Sequence, residues 1–322
     1  MSWDVIIPFL RPIEALIRDP EISDIMVNGS SQVFIEKHGE LMPVPSVAIS
    51  EKSLQVAVRN IARVLGDEIS EEKPLLDSRL PDGSRVAAVF PPCSVSGTIL
   101  AIRKFHSKRY TADELTRIGT LTLTLLNDLR DAIEKRQNIL ISGGTGTGKT
   151  TLLNALASSI PDGERVVVIE DTSELQLQKP NLVRLESRRK HPGLPAVTIR
   201  DLLRATLRLR PDRILLGEVR GGEAFDLLQA LNTGHAGSLC TIHANSAELA
   251  LSRFTSCVLM SGIELPYAAI RANIADSLDL VVHIERRHGK RFVAEVLQVE
   301  RYVPATDNFE FVHKFQRSEA SS

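Results

Sequence analysis

The length and composition describe a folded protein of ordinary make-up. The 322 residues suit two domains rather than one, at roughly 150 residues per domain. Hydrophobic residues at 43% and charged residues at 25% exclude a disordered, collagen-like or coiled-coil chain. Lys and Arg total 39 against 40 for Asp and Glu, so the formal net charge of -1 excludes a whole-molecule attraction to nucleic acid or acidic lipid.

The cysteines and the N-terminal segment bear on the compartment. Cys93, Cys240 and Cys257 lie far apart and form no C-x-x-C pair, which indicates neither a zinc site nor a disulfide framework. Residues 1–20 lack a basic region and a cleavage motif and contain prolines, so they predict a short structural helix. No stretch reaches about 18 uninterrupted apolar residues. We therefore expect a cytosolic protein that associates with membranes only through a partner or a surface contact.

The N-terminal third predicts a mixed antiparallel sheet with one or two helices. Residues 22–43 alternate in polarity around Asn-Gly and His-Gly turn pairs, which predicts a small meander. Residues 50–65 carry apolar side chains at helical spacing. Residues 75–92 predict two strands around a Pro-Asp-Gly turn, and residues 98–105 predict one more. We expect an α+β domain over residues 1–107.

The composition of the sequence changes after the last of these predicted strands. The charged and polar residues 106–117 mark the linker region, and a helix is predicted through 123–135. From Asn138 onward strand patterns alternate with helical patterns, which predicts a parallel sheet with helices on both faces. The predicted strands cover residues 138–143, 165–171, 213–219 and 238–244, and the predicted helices cover 150–160, 199–210 and 222–231. A hairpin that turns at His288-Gly289 follows, and this second domain is placed at residues 108–322.

The strongest motif is a phosphate-binding loop at residues 143–150. It satisfies G-x-x-x-x-G-K-[ST] directly after an apolar strand and before a helix. Its glycines let backbone N–H groups close around phosphate oxygens, Lys149 neutralises the β- and γ-phosphates, and the Thr150 hydroxyl ligates Mg²⁺. The sequence thus predicts that the protein binds ATP and Mg²⁺. The predicted nucleotide-binding residues are Gly143, Gly144, Thr145, Gly146, Thr147, Gly148, Lys149, Thr150 and Thr151.

Acidic residues end two other predicted strands. Glu218 occupies the strand-end position where P-loop proteins carry a carboxylate for Mg²⁺ or water, with Gly217 in place of the usual Asp. Glu170, Asp171 and Glu174 follow a second strand, and ligands bind beyond the carboxyl ends of such strands. One of these three can polarise the attacking water, while capping of a following helix by Asp171 is the structural alternative.

Histidines and arginines are candidate phosphate contacts. His235 and His243 bracket a further strand, where an imidazole can sense a γ-phosphate, with a place in the core as the alternative. A correctly placed arginine can raise the rate by roughly 10³- to 10⁵-fold, although most arginines lie on surfaces. The candidates are Arg103, Arg204, Arg208, Arg210 and Arg220. The run 188–190 is interpreted as a solvated loop, with nucleic-acid contact as the minor alternative.

Four segments together resemble the successive signature boxes of the secretion (traffic) ATPases. They are GGTGTGKT, RVVVIEDTSEL, RPDRILLGEVRGGEAFDLLQALNTGH and AGSLCTIHANS. The resemblance covers residues 138–260, and SRLPDGSRVAAVFPP and AIRKF are similar to the N-terminal domain of that family. These ATPases power type II and type IV secretion, conjugation and type IV pilus machines. The residues of RPDRILLGEVRGGEA and TIHANS most resemble those of the conjugal-transfer branch and its tight-adherence pilus relatives.

The resemblance implies an architecture and a set of roles. The fold would be α/β, with a RecA-like P-loop C-terminal domain, a smaller sensory-like α+β N-terminal domain, and a homo-hexameric ring that holds nucleotide between the domains. Glu174 would polarise the attacking water, Glu218 would hold the Mg²⁺ shell, and His243 would report the phosphate state. The arginines implied to face the phosphates are Arg208, Arg220 and Arg103. The glycine at position 217 matches the family pattern.

The expected function is a Mg²⁺-dependent ATPase that powers pilus assembly or substrate translocation by domain motions around a ring. We expect it at the inner face of the inner membrane, held there by secretion or conjugation components. A type IV pilus assembly ATPase and a nucleic-acid translocase on the same core are the alternatives, and direct nucleic-acid binding stays undecided. Polynucleotide-stimulated hydrolysis with a steep salt slope would favour the translocase. Nucleotide binding without turnover would indicate an assembly scaffold.

Overall fold

The computed structural model describes residues 6–80, 82–105, 110–188, 190 and 194–317. The chain divides into two compact units, residues 1–108 and 109–322. Each unit has a buried apolar core of its own. Within the described ranges, no helix has both the length and the apolar character needed to cross a membrane.

The N-terminal unit is built on a six-stranded antiparallel sheet. Its strands are β1 (Ile22–Asn28), β2 (Gln32–Lys37), β3 (Glu40–Pro43), β4 (Leu75–Arg79), β5 (Arg85–Val89) and β6 (Ile99–Arg103). They lie in the order β3-β2-β1-β6-β5-β4, so the predicted meander and the two later strands join in one sheet. Two 3₁₀ turns (Ile7–Phe9 and Arg11–Ile13) precede the helices α1 (Glu14–Arg18) and α2 (Glu51–Val64).

Helix α2 covers the core of this unit as its apolar spacing predicts. The Ser50 hydroxyl caps the helix by accepting a hydrogen bond from the Ser53 backbone N–H at 3.2 Å. Leu54, Val58 and Ile61, spaced by helical turns, are fully buried in the cluster that also contains the inward side chains of the sheet. The periodic apolar stripe therefore fixes which helix face meets the sheet.

The C-terminal unit is built on an eight-stranded mixed sheet, ordered β14-β13-β12-β7-β11-β10-β8-β9. The strands are β7 (Ile139–Gly143), β8 (Val166–Glu170), β9 (Leu182–Glu186), β10 (Arg213–Val219), β11 (Leu239–His243), β12 (Leu280–Arg287), β13 (Lys290–Val303) and β14 (Asn308–Gln316). In this sheet order, the six strands from β12 to β9 run parallel to one another, and β13 and β14 continue the sheet as antiparallel neighbours. The predicted parallel sheet is confirmed, with an antiparallel extension at one side.

Helices cover both faces of this sheet. They are α3 (Ala112–Arg117), α4 (Leu123–Glu134), α5 (Lys149–Ala157), α6 (Ile199–Thr206), α7 (Glu223–Asn232), α8 (Ala247–Leu259) and α9 (Tyr267–Ser277). Successive strand residues face different cores: Ile139 and Ile141 pack with α3, α4 and α5, while Leu140 packs with α6 to α9. Burial on both faces explains why β7 and β8 are continuous apolar runs. The α/β fold class is thereby confirmed.

Some local predictions were wrong. Residues 112–117, assigned to the linker, form α3, because Thr111 and Glu114 make a capping box and Leu115 is buried. Helix α6 ends at Thr206 instead of residue 210, since the chain turns there and Arg210 adopts a φ of +54°. Strands β9 and β14 and helices α8 and α9 were not predicted. The predicted linker residues 106–109 lie outside the described residues.

Candidate nucleotide-binding site

The carboxyl ends of four adjacent parallel strands bring the motif residues together. Strand β7 ends at Gly143, β8 at Glu170, β10 at Val219 and β11 at His243. These strands are neighbours in the order β7-β11-β10-β8, so the loops that follow them lie along one edge of the sheet. The register pairs His243 with Gly143, which sets the histidine beside the first residue of the P-loop.

The P-loop has a backbone that only its glycines allow. Gly146 and Gly148 adopt φ angles of +70° and +97°, which side-chain-bearing residues rarely take. At Gly143 a Cβ would overlap the carbonyl oxygen of Ile284 on β12. The Thr147 hydroxyl donates to the Gly144 carbonyl at 2.9 Å and ties the loop across itself. The loop then enters α5, whose first backbone N–H groups have no partner within the helix.

Lys149 is folded back on its own loop. Its Nζ donates to the carbonyl oxygens of Gly143 at 3.0 Å and Gly144 at 2.9 Å, and lies 3.3 Å from Nδ1 of His243. The residue is only 7% exposed. Burial lowers the pKa of the Lys149 ammonium, and the carboxylates of Glu218 and Glu174 oppose this lowering. These two acids are therefore within electrostatic reach of the P-loop lysine.

Glu218, His243 and Arg220 form a chain of contacts beside Lys149. The Glu218 Oε2 atom accepts from Nε of Arg220 at 2.6 Å, and a second Arg220 nitrogen lies 3.2 Å from the Asp171 carboxylate. Oε1 of Glu218 lies 2.6 Å from Nε2 of His243. Burial, followed by the charge of Lys149, lowers the pKa of His243, and the carboxylate of Glu218 opposes this lowering. The network links the ends of β11, β10 and β8.

These residues fit a triphosphate and Mg²⁺. The loop offers backbone N–H groups and one buried ammonium to phosphate oxygens. Among the described residues, Oε1 of Glu218 is a buried oxygen without a partner in hydrogen-bond geometry, despite its short contact with His243. A carboxylate oxygen and the Thr150 hydroxyl at the start of α5 are ligands that Mg²⁺ prefers. The site is therefore consistent with the predicted Mg²⁺ residues.

The three acids after β8 have different surroundings. Glu170 is 3% exposed, and its Oε1 accepts the backbone N–H groups of Glu174 at 2.9 Å and Leu175 at 3.0 Å. Burial raises the pKa of Glu170 to about 7, against the two backbone hydrogen bonds. Asp171 accepts from the Ser187 hydroxyl at 3.1 Å and contacts Arg220, whereas Glu174 is exposed. The helix-capping alternative for Asp171 is wrong, because the described residues 171–181 contain no helix.

Gly217 leaves the space that Glu170 needs. A Cβ built on Gly217 would lie 2.9 Å from Cγ of Glu170, closer than real Cβ contacts. The Gly217 carbonyl accepts from the Thr241 hydroxyl at 2.6 Å. The glycine in place of the usual aspartate therefore has a steric reason on the neighbouring strand.

Three predicted phosphate contacts lie at the opposite edge of the sheet. Arg208 and Arg210 precede β10, and His235 precedes β11 with its Nδ1 3.2 Å from the Pro211 carbonyl. At about 3.3 Å per residue, β10 separates this edge from the carboxyl ends by about 20 Å. Neither His235 nor these arginines can face the P-loop of their own chain. The predicted role of Arg208 could only be exercised toward another copy.

Each of the remaining candidates has a partner within its own unit. Arg204 pairs with Asp226 at 2.9 Å and joins α6 to α7. Arg188 forms a β-bridge with Val197 in a surface loop, while position 189 of the basic run lies outside the described residues. In the N-terminal unit, Arg103 ends β6 and pairs with Asp24 at 2.8 Å. Within the C-terminal unit, Arg220 is thus the predicted arginine that the structure brings to the P-loop edge.

The sequence did not predict a role for Arg253 or Arg291, which lie near the P-loop. A cavity of about 390 Å³ is lined by Gly144, His243 and Arg253, among others. Arg291 on β13 donates its Nε–H to the Gly146 carbonyl at 2.9 Å, which supports the loop from outside. Helical spacing after His243 could have indicated Arg253. The approach of Arg291 depends on the β12–β13 hairpin and has no local sequence signal.

A P-loop on a parallel sheet, with acids at the neighbouring strand ends, defines a RecA-like P-loop nucleotide-hydrolysing domain. The sequence matches the family described as "Type II/IV secretion system protein" over residues 10–309. The chain belongs to this family, and the resemblance drawn from the signature boxes is confirmed.

Individual relatives cover most of the chain. The conjugal transfer protein TrbB of Rhizobium radiobacter is 38% identical over 289 residues, 88% of this chain and 85% of the relative. The type IV secretion system protein VirB11 of Bartonella quintana is 34% identical over 328 residues, 91% and 92% of the two chains. The Legionella pneumophila ATPase DotB has a similar fold, with a TM-score of 0.63 and 19% identity over 90% of this chain and 80% of that one.

Proposed function

We propose that this protein is the ATP-hydrolysing motor of a type IV secretion or conjugal-transfer apparatus. The observation that carries the proposal is the contact chain from Lys149 through His243 and Glu218 to Arg220, at the P-loop edge of a secretion-family chain. Relatives in conjugal transfer and type IV secretion favour this function over the pilus-assembly and nucleic-acid translocase alternatives. The type of reaction is hydrolysis of ATP to ADP and phosphate.

Binding begins at the P-loop. Its backbone N–H groups receive the phosphate oxygens, and Lys149 exchanges the neutral carbonyls of Gly143 and Gly144 for the β- and γ-phosphates, since an ammonium is attracted more strongly to an anionic oxygen than to a neutral one. Mg²⁺, held by Thr150 and Glu218, would supply further positive charge at the phosphates. Thr151 and the other loop residues complete the nucleotide contacts.

Hydrolysis needs a water aligned with the γ-phosphate. Glu174 is exposed and acts electrostatically on Lys149, so we assign it the role of polarising that water. Arg220 carries positive charge to the same edge and stabilises the phosphates during bond cleavage. His243 reports the phosphate state, because it contacts both Lys149 and Glu218.

The assembly we propose is a homo-hexameric ring at the inner face of the inner membrane, bound to inner-membrane secretion or conjugation components. Loss of the γ-phosphate removes contacts made by Lys149 and Arg220, which changes the preferred arrangement of the domains around the ring. Arg103 of the N-terminal unit is the residue that we expect to complete the phosphate contacts on closure.

The test separates the two carboxylates by steady-state ATPase assays with Mg²⁺ titration. Glu174→Gln should bind Mg-ATP with unchanged affinity and turn over at least tenfold more slowly, because it keeps shape but loses basicity. Glu218→Gln should instead raise the Mg²⁺ concentration needed for half-maximal activity. A wild-type protein that binds ATP without hydrolysing it would refute the motor and indicate a scaffold. Stimulation by polynucleotide with a steep salt dependence would support the translocase instead.

A further inference from the structure

We infer that Glu170 is a positioning residue for Glu174: it holds the backbone of the loop after β8 so that the Glu174 carboxylate is presented at the P-loop edge. This inference rests on the proposed function, in which Glu174 polarises the attacking water. It assigns different roles to two acids that follow the same strand, Glu170 and Glu174.

The contacts of Glu170 point inward. Its Oε1 accepts from the backbone N–H groups of Glu174 at 2.9 Å and Leu175 at 3.0 Å, and the residue is 3% exposed. The next side chain in the loop, that of Leu175, is buried in the core with α4 and α5. Glu170 and Leu175 thus anchor the loop on either side of the exposed Glu174.

A carboxylate so enclosed is unsuited to activate a water itself. Its side chain packs against Gly217, where the absence of a Cβ is what admits it. The two N–H donors hold it toward the loop backbone, so it acts on Glu174 through the main chain and not through solvent. A buried acceptor that satisfies two backbone donors in an irregular segment fixes that segment, because unsatisfied buried N–H groups are costly.

The test is a double-mutant cycle in the full-length protein. Glu170→Leu removes the acceptor, and Glu170→Gln keeps an amide oxygen that can accept the same N–H groups. We expect Glu170→Leu to lower kcat at least tenfold with KM for ATP changed less than twofold, and Glu170→Gln to stay within threefold of wild type. If Glu170 acts through Glu174, adding Glu170→Leu to Glu174→Gln lowers kcat no further.

The matched control is Asp279→Leu. Asp279 also accepts a backbone N–H, that of Asn138 at 2.7 Å, but it lies before β12 at the opposite edge of the same sheet. Its loss should lower the melting temperature without changing kcat, which separates positioning from general destabilisation. Equal losses of kcat in Asp279→Leu and Glu170→Leu would overturn the inference.

Gly217→Ala provides a second route that keeps the carboxylate. The added methyl group meets Cγ of Glu170 at 2.9 Å and must displace it. We expect the same selective fall in kcat, an unchanged Mg²⁺ requirement, and no further fall on the Glu174→Gln background. Wild-type kcat in both Gly217→Ala and Glu170→Leu, with Glu174→Gln slow, would overturn the inference and leave the proposed function standing.

A readout independent of turnover is hydrogen exchange of the peptide spanning residues 171–178. Glu170→Leu should speed exchange at the Glu174 and Leu175 amides at least tenfold, and Glu170→Gln should not. Unchanged protection in Glu170→Leu overturns the inference whether or not the protein hydrolyses ATP. A fully active Glu174→Gln would instead refute the role of Glu174 in the proposed function.

Discussion

The burial of Glu170 predicts a pH-dependent loss of stability that a single substitution should abolish. In the folded protein burial raises the pKa of this carboxyl from 4.5 to about 7. The folded state therefore favours the neutral form, and its stabilising contribution is fully present below pH 4.5. As the pH rises toward and through 7, the unfolded chain has already released this proton, and the folded state must ionise a buried group.

The size of the effect follows from the two pKa values. At about 1.4 kcal/mol for each tenfold change in the ionisation equilibrium, the full loss is about 3 kcal/mol. Glu170→Gln is neutral at every pH and keeps an acceptor for the Glu174 and Leu175 amides. The free energy of unfolding of Glu170→Gln minus that of wild type should therefore increase by about 2 to 3 kcal/mol between pH 5 and pH 8.

Urea unfolding of both proteins at the two pH values measures this difference. The comparison between variants cancels the contributions of all other ionisable groups that titrate between the two pH values. Because the chain has two units, only the transition whose midpoint moves on substitution is used. A free energy of unfolding that varies with pH identically in wild type and Glu170→Gln would refute the raised pKa of the Glu170 carboxyl.

Three other outcomes are expected. Lys149→Ala should abolish turnover in the ATPase assay while the protein stays folded. In thermal melting, wild type should gain about 2.7 kcal/mol of apparent stability with Mg-ATP at one hundred times Kd, and Lys149→Ala should lose this gain. Arg103→Ala should lower turnover at least tenfold, which corresponds to about 1.4 kcal/mol of activation barrier, and the specific activity of wild type should rise with protein concentration as rings form. The control is Asp24→Asn, which removes the charge of the carboxylate paired with Arg103 and should keep wild-type turnover. Equal losses of turnover in the two variants would show that the ion pair has a structural role. Gly237→Ala should destabilise by more than about 2 kcal/mol in urea, because its Cβ would overlap a buried guanidinium, whereas Gly234→Ala, also at positive φ but with open space, should cost only about 1 kcal/mol.

The sequence could predict the P-loop and the ends of its neighbouring strands because both signals are local. The glycine spacing of residues 143–150 sets a backbone shape, and the apolar run of β8 ends where the charged residues begin. The apolar spacing of α8 and the alternation of β14 are equally local and could have been used. The short edge strand β9, with half-exposed residues, carries a weaker signal.

Relations between distant segments could not be predicted in the same way. His235 and His243 bracket β11 in sequence, but the two ends of one strand lie at opposite edges of the sheet. The burial of Glu170 depends on Gly217 of β10, and its hydrogen bonds depend on the path of a loop without regular structure. The support of Gly146 by Arg291 depends on a hairpin far along the chain. Each of these contacts arises from tertiary packing, which the local spacing of residues does not predict.

In the function we propose, the contacts around Lys149 would transmit the occupancy of the P-loop to the ends of four neighbouring strands. Lys149 is held by the Gly143 and Gly144 carbonyls next to His243, and Glu218 is held between His243 and Arg220. In the function we propose, Mg-ATP would draw Lys149 to the phosphates and Glu218 to Mg²⁺, so the contacts of both residues with His243 would give way to contacts with the ligand. Arg220, which shares Glu218 with His243, would keep its other partner, Asp171, after β8. Loss of the γ-phosphate would reverse these exchanges. The structure shows one set of pairings and the proposed function adds a second, and a nucleotide that favours one set over the other would have the differential affinity that any driven motion requires.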